Sequence, residues 1–155
     1  MKISTTFIAL LYVIMMAACS AKEDASMEEV VKFESDSELT KKLVENGEYI
    51  DLDVKALAFE VANGGTTQST PEELKKNVAM MKAAIHRFYS KVEIIDGHYV
   101  VRAESGKELN VSERVYEALS DNLNEMNTFI DNVKAKGEEI KIPEITSDYL
   151  NSLLE

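Results

Sequence analysis

The chain has 155 residues, with 17 basic against 28 acidic side chains and a net charge of −11. That overall field opposes nucleic acid and anionic lipid, and the acids are expected to serve solubility first, with attraction of a basic partner as the alternative. One cysteine, Cys19, excludes an intramolecular disulfide, and the composition is globular rather than disordered.

The N-terminus reads MKISTTFIALLYVIMMAACSAKED. Lys2 supplies a positive start, and Phe7 to Ala18 carries no charge. The run is shorter than the roughly 20 residues needed to span a bilayer, so it reads as the apolar region of a signal peptide. Met16-Ala17-Ala18-Cys19 resembles the lipobox of bacterial lipoproteins, with Met16 where leucine is commoner. The resemblance implies cleavage before Cys19 and a diacylglycerol on its thiol. Such proteins carry more than one acyl chain, which implies firm attachment. Ser20, a neutral residue after the cysteine, implies delivery to an outer membrane. Lys22, Glu23 and Asp24 resemble, one residue out of register, the lysine-plus-acids export signal of Bacteroidota surface lipoproteins. That implies surface display; otherwise these residues are a solvated tether. The expected organisation is a signal peptide at 1–18, a lipidated tether at 19–26 and a single globular domain at 27–155.

Helix is expected first over Met27 to Asn46, with a break near Ser35, whose spacing to Glu38 fits a capping box. Asn46-Gly47 is a stop signal. Tyr49 to Asn63 carries two patterns. Ile50, Leu52 and Val54 alternate with Asp51, Asp53 and Lys55 as in a strand, while Asp53 as N-cap and the alanine-rich run after it favour a helix over Val54 to Ala62. Thr70-Pro71-Glu72-Glu73 then opens a long helix with a hydroxyl at N-cap, proline at N1 and glutamate at N3. Its stripe of Leu74, Val78, Met81, Ile85 and Phe88 faces a core.

Val92 to Ile95, Asp96-Gly97 and His98 to Val101 form a predicted hairpin, since Asp-Gly tolerates positive φ. A turn at Ser105-Gly106-Lys107 is expected to lead into a third short strand, Glu108 to Val111. Ser112 is expected to cap a helix running to about Lys136, with Val115, Leu119, Leu123, Met126, Ile130 and Val133 on one face and Gly137 ending it. After Pro143, Thr146 to Leu154 suggests a terminal helix docked through Tyr149, Leu150, Leu153 and Leu154. The expected fold is mainly α: a small helical bundle with a short β-hairpin between two long helices. An isolated hairpin is marginal in water, so this one must lean on the helices.

Candidate chemistry is sparse. His86 has Lys82 and Ser90 at the neighbouring helical positions, and His98 lies beside the hairpin turn, so neither has a ligand partner at metal spacing. Glu28-Glu29, Glu72-Glu73 and Glu138-Glu139 are adjacent pairs that diverge by about 100° on a helix. Gly64-Gly65 lacks the lysine of a phosphate loop, and no GxSxG or calcium-loop pattern occurs. Met80, Tyr89 and Tyr116 could make a sticky surface, but a wide core face explains them more simply. No cofactor, metal or catalytic set is expected. The expected function is that of a lipid-anchored, non-enzymatic interaction or accessory subunit of an outer-membrane or surface assembly, for example secretion or transport machinery. Its partners would be the membrane, through the N-terminal lipid, and a protein. One alternative is an acidic inhibitor or immunity lipoprotein that blocks a basic hydrolase. Another is a hydrolase whose facing carboxylates would sit in a deep cleft.

Overall fold

A computed structural model of the chain describes residues 37–62 and 69–155. The order is α1 (Ser37–Asn46), α2 (Val54–Ala62), α3 (Pro71–Tyr89), β1 (Val92–Ile95), β2 (His98–Val101), a 3-10 turn (Gly106–Leu109), α4 (Glu113–Ala135) and α5 (Ser147–Ser152). The fold is mainly helical, with one two-stranded antiparallel sheet between the long helices. The predicted start at Met27, the break at Ser35 and residues 63–68 lie outside the described residues.

The segment after α1 forms the expected helix at Val54–Ala62, and the residues before it make no strand but an extended stretch with one isolated bridge. Ile50, Leu52 and Val54 are buried and Asp51 and Asp53 exposed, the alternation of extended chain. Ile50 makes an isolated parallel bridge with Val111: its N–H donates to the Asn110 carbonyl at 2.9 Å, and its carbonyl accepts from the Ser112 N–H at 2.8 Å. Asp53 then starts α2, its Oδ1 accepting from the Ala56 N–H at 2.9 Å.

The capping box of α3 is closed in both directions. The Glu73 N–H donates to Thr70 Oγ1 at 3.2 Å, and the Thr70 N–H donates to Glu73 Oε2 at 2.8 Å. The core face of α3 is wider than its stripe, because Ala79, Ala83, Ala84 and Tyr89 are buried with Leu74, Met81, Ile85 and Phe88. Tyr89 is fully buried, and Met80 and Tyr116 pack half-buried against the core. Phe88 meets Tyr89 and Tyr116 edge-on at 5.5 and 5.9 Å, and Tyr89 meets Tyr149 at 6.3 Å. The Tyr89 hydroxyl donates to Asn122 Oδ1 on α4 at 3.3 Å, so its polar end is not orphaned.

The hairpin closes through Asp96 (φ 51°) and Gly97 (φ 74°), a turn with both central residues at positive φ. Its register pairs Val92 with Val101 and Ile95 with His98. It leans on α4, as expected of a lone hairpin.

The third strand does not form. Residues 106–109 coil into the 3-10 turn, Asn110 adopts the left-handed conformation (φ 51°, ψ 42°), and the Val111 N–H returns to the Gly106 carbonyl at 2.9 Å. The turn wins because Asn110 tolerates the left-handed conformation and Gly106, without a Cβ, admits the chain doubling back. A Cβ on Gly106 would lie 2.7 Å from the Val111 carbonyl oxygen. Val111 alone keeps a strand-like bond pattern, with Ile50.

Ser112 stands at the N-cap of α4, but its side chain makes no capping bond; Glu113 instead accepts from the Gly106 N–H at 3.1 Å. Gly137 (φ 76°) follows the helix end. α5 is capped by Thr146 and seats Leu153 in the core, with Tyr149 and Leu150 half-buried. Arg87 of α3 ties three segments together. Its guanidinium donates to the carbonyls of Glu48 (2.8 Å), Asn110 (3.1 Å), Leu109 (3.3 Å) and Leu43 in the last turn of α1.

Candidate functional site

The structure keeps the histidines apart from any ligand set. His86 is half-buried on α3, and burial, with Arg87 beside it, holds its pKa below the usual histidine value. His98 at the hairpin faces Asp131 of α4, Nε2 to Oδ1 at 2.7 Å. Among the described residues no group of three or more His, Cys, Asp or Glu is placed to hold a metal ion. Glu73 is occupied by the helix cap, and its carboxyl is lowered by the Thr70 backbone N–H and hydroxyl. Glu72, Glu138 and Glu139 are exposed. Cys19, Lys22, Glu23, Asp24, Glu28, Glu29, Gly64 and Gly65 lie outside the described residues.

A groove of about 530 Å³ runs along α2. Among the described residues its lining is Asp51, Leu52, Asp53, Ala56, Leu57, Phe59, Glu60, Ser69 and Asn77, with no basic residue and no histidine. The local sequence builds it directly. Alternation in the extended stretch buries Leu52 and turns Asp51 and Asp53 outward, and the Asp53 cap sets the start of α2. From there Leu57 points inward and Phe59 outward, at 63 % exposure. Tyr49, 65 % exposed, precedes this run.

The three acids differ in their surroundings. Asp51 accepts from Arg114 Nε at 2.6 Å, and that bond, with a smaller contribution from Ser112, lowers its carboxyl pKa. Asp53 is exposed and uses one oxygen on the cap. Glu60 is only 8 % exposed, yet among the described residues its carboxylate is held by one neutral residue: the Ser69 N–H donates to Oε1 at 3.0 Å and the Ser69 hydroxyl to Oε2 at 2.9 Å. No arginine or lysine among the described residues forms an ion pair with it. A buried carboxylate without a cation is unusual, because desolvation costs several kcal/mol unless opposite charge offsets it.

Glu60 escaped the sequence reading, although a signal was there. It sits three residues after Leu57 on the face that also buries Val54 and Ala58, so an acid interrupts the apolar side of a short helix. The groove's acids each hold a neighbouring donor rather than one another, which suits recognition better than proton transfer.

No family of known proteins matches the chain, and comparison with curated proteins and with solved structures gives no match. No helix among the described residues is long and apolar enough to cross a membrane.

Proposed function

We propose that the chain is a lipid-anchored envelope lipoprotein that acts as a non-enzymatic interaction or accessory subunit of an outer-membrane or surface assembly. The observation that carries the address is Met16-Ala17-Ala18-Cys19 after an uncharged run too short to span a bilayer. Interaction is favoured by an open groove lined by exposed Phe59, an aromatic residue of the kind enriched in interface cores. Lys22, Glu23 and Asp24 fit a signal for display on the outer face.

Labelled palmitate fed to cells should appear on the wild-type protein and not on Cys19→Ala, which should be recovered as a soluble exported chain. A Cys19→Ala chain that stays with the membrane while the wild type takes up no label would end this reading. Cross-linking in intact envelopes should recover a stoichiometric protein partner, and protease shaving of whole cells should digest the domain if it faces outward.

The acidic groove without a basic lining residue also favours a second reading, an inhibitor or immunity lipoprotein seated on a cationic hydrolase. Inhibition of such an enzyme that disappears at high salt distinguishes it from the accessory role.

A further inference from the structure

We infer that the α2 groove takes an extended cationic segment of a partner protein, a lysine or arginine reaching toward Glu60 and an adjacent apolar side chain lying on Leu52, Leu57 and Phe59. This deepens the interaction reading above and rests on it.

The first observation is the charge of Glu60, which no described lysine or arginine pairs. Glu60 is nine-tenths buried, lines the groove and among the described residues bonds only to Ser69. Residues 63–68, Asn-Gly-Gly-Thr-Thr-Gln, contain no lysine or arginine that could supply the missing cation. A charge at the base of a groove with low-dielectric walls focuses the field on an entering group of opposite sign. The second is the composition of the wall. Three acids line the groove and no described base does, although Asp51 is paired with Arg114 beside it, and Leu52, Ala56, Leu57 and Phe59 give it an apolar side. Such a surface discriminates twice: against anionic segments by charge, and against purely polar cations by the apolar surface they cannot cover. The third is geometry. Asp51 and Asp53 precede α2 while Phe59 and Glu60 stand near its end, so the acids are spread along the groove and match an extended segment rather than a single small ion.

The test uses the full mature chain purified from membranes in a non-ionic detergent, with three short peptides as probes: alternating Lys-Leu, alternating Glu-Leu and alternating Lys-Ser. Fluorescence anisotropy gives the affinity, and amide chemical shifts give the place. The Lys-Leu peptide should bind and shift the amides of Ala56, Leu57, Glu60, Ser69 and Asn77. Glu60→Gln keeps an acceptor for Ser69 and should weaken binding by about tenfold. Asp53→Asn keeps the helix cap and should weaken it by about threefold. Raising salt from about 0.05 M to about 0.5 M should weaken the wild type more than Glu60→Gln. Equal binding of the Glu-Leu or Lys-Ser peptide, shifts spread over the whole acidic surface, or an unchanged affinity in Glu60→Gln would each overturn the proposal. Palmitate labelling of Cys19 and partner recovery in envelopes are independent of these peptides, so failure of the groove and failure of the lipoprotein reading are separate results.

Discussion

Asn127 of α4 pairs with the backbone of Tyr99 as a neighbouring strand would. Its Oδ1 accepts from the Tyr99 N–H and its Nδ2 donates to the Tyr99 carbonyl, both at 2.8 Å. Tyr99 lies opposite Ile94, while the pairs on either side, Ile95–His98 and Glu93–Val100, face inward across the hairpin. In an antiparallel pair such alternate residues aim their N–H and carbonyl outward, so one amide side chain satisfies the exposed edge of β2. His98 with Asp131, and the Gly97 carbonyl accepting from Lys134 Nζ at 3.2 Å, extend the same seam along α4.

Asn127→Ala should therefore loosen the hairpin beyond the loss of two contacts, since both Tyr99 groups would be left half-buried without partners. The expected cost is about 2–4 kcal/mol, read from urea unfolding, with faster hydrogen exchange at Tyr99. Asn127→Asp keeps the acceptor and sets a carboxylate oxygen against the Tyr99 carbonyl, so it should recover no more than half of that stability.

Arg87 joins the end of α1 to the residues around the 3-10 turn through four backbone carbonyls. Lysine presents one ammonium where the guanidinium presents a planar fork. Arg87→Lys should cost about 2–3 kcal/mol and Arg87→Ala more. Thermal unfolding followed by circular dichroism gives the ranking, and exchange in α1 should rise before exchange in α4.

The buried phenols predict an alkaline limit. Burial pushes the Tyr89 hydroxyl strongly upward and raises Tyr149 to about 12. Both groups are neutral in the fold when their unfolded counterparts ionise near pH 10. Stability from this source is thus intact below about pH 10 and is lost as pH rises toward 12. Chemical denaturation at stepped pH should show that decline, and the Tyr89→Phe, Tyr149→Phe double variant should flatten it.

Two glycines should separate steric crowding from backbone strain. Gly106→Ala places a Cβ 2.7 Å from the Val111 carbonyl oxygen and 2.9 Å from that of Ser112, both backbone atoms that cannot swing away. A loss of about 2–4 kcal/mol is expected. Gly137 has open space around the same position but φ 76°, so Gly137→Ala should cost only about 1 kcal/mol.

The legible parts of the sequence were those fixed by local chemistry. Thr70-Pro71-Glu72-Glu73 and Asp96-Gly97 carry their own hydrogen-bonding and φ requirements, and they formed where those requirements placed them. The segment Glu108 to Val111 misled because its outcome depends on distant surfaces: Leu109 and Val111 are drawn into the core, and Asn110 takes up the left-handed turn between them. Glu60 was invisible for a related reason. Its partner, Ser69, lies nine residues on and beyond the helix, which a nine-residue helix does not announce.

The Ile50–Val111 bridge also orders events in time. Asp51 and Arg114, which flank it, are 63 residues apart in the chain. Before that span closes, Ile50 lacks its bridge partner, so the extended stretch ahead of α2 waits for residues beyond the hairpin, while α1 already has α3 to pack on. Closing so long a loop precedes the contacts that reward it, which slows folding. A fragment ending before Val111 should thus leave Ile50 without its bridge partner and expose it to other chains. The stretch from Ile50 to Asp53 is made early and fixed late.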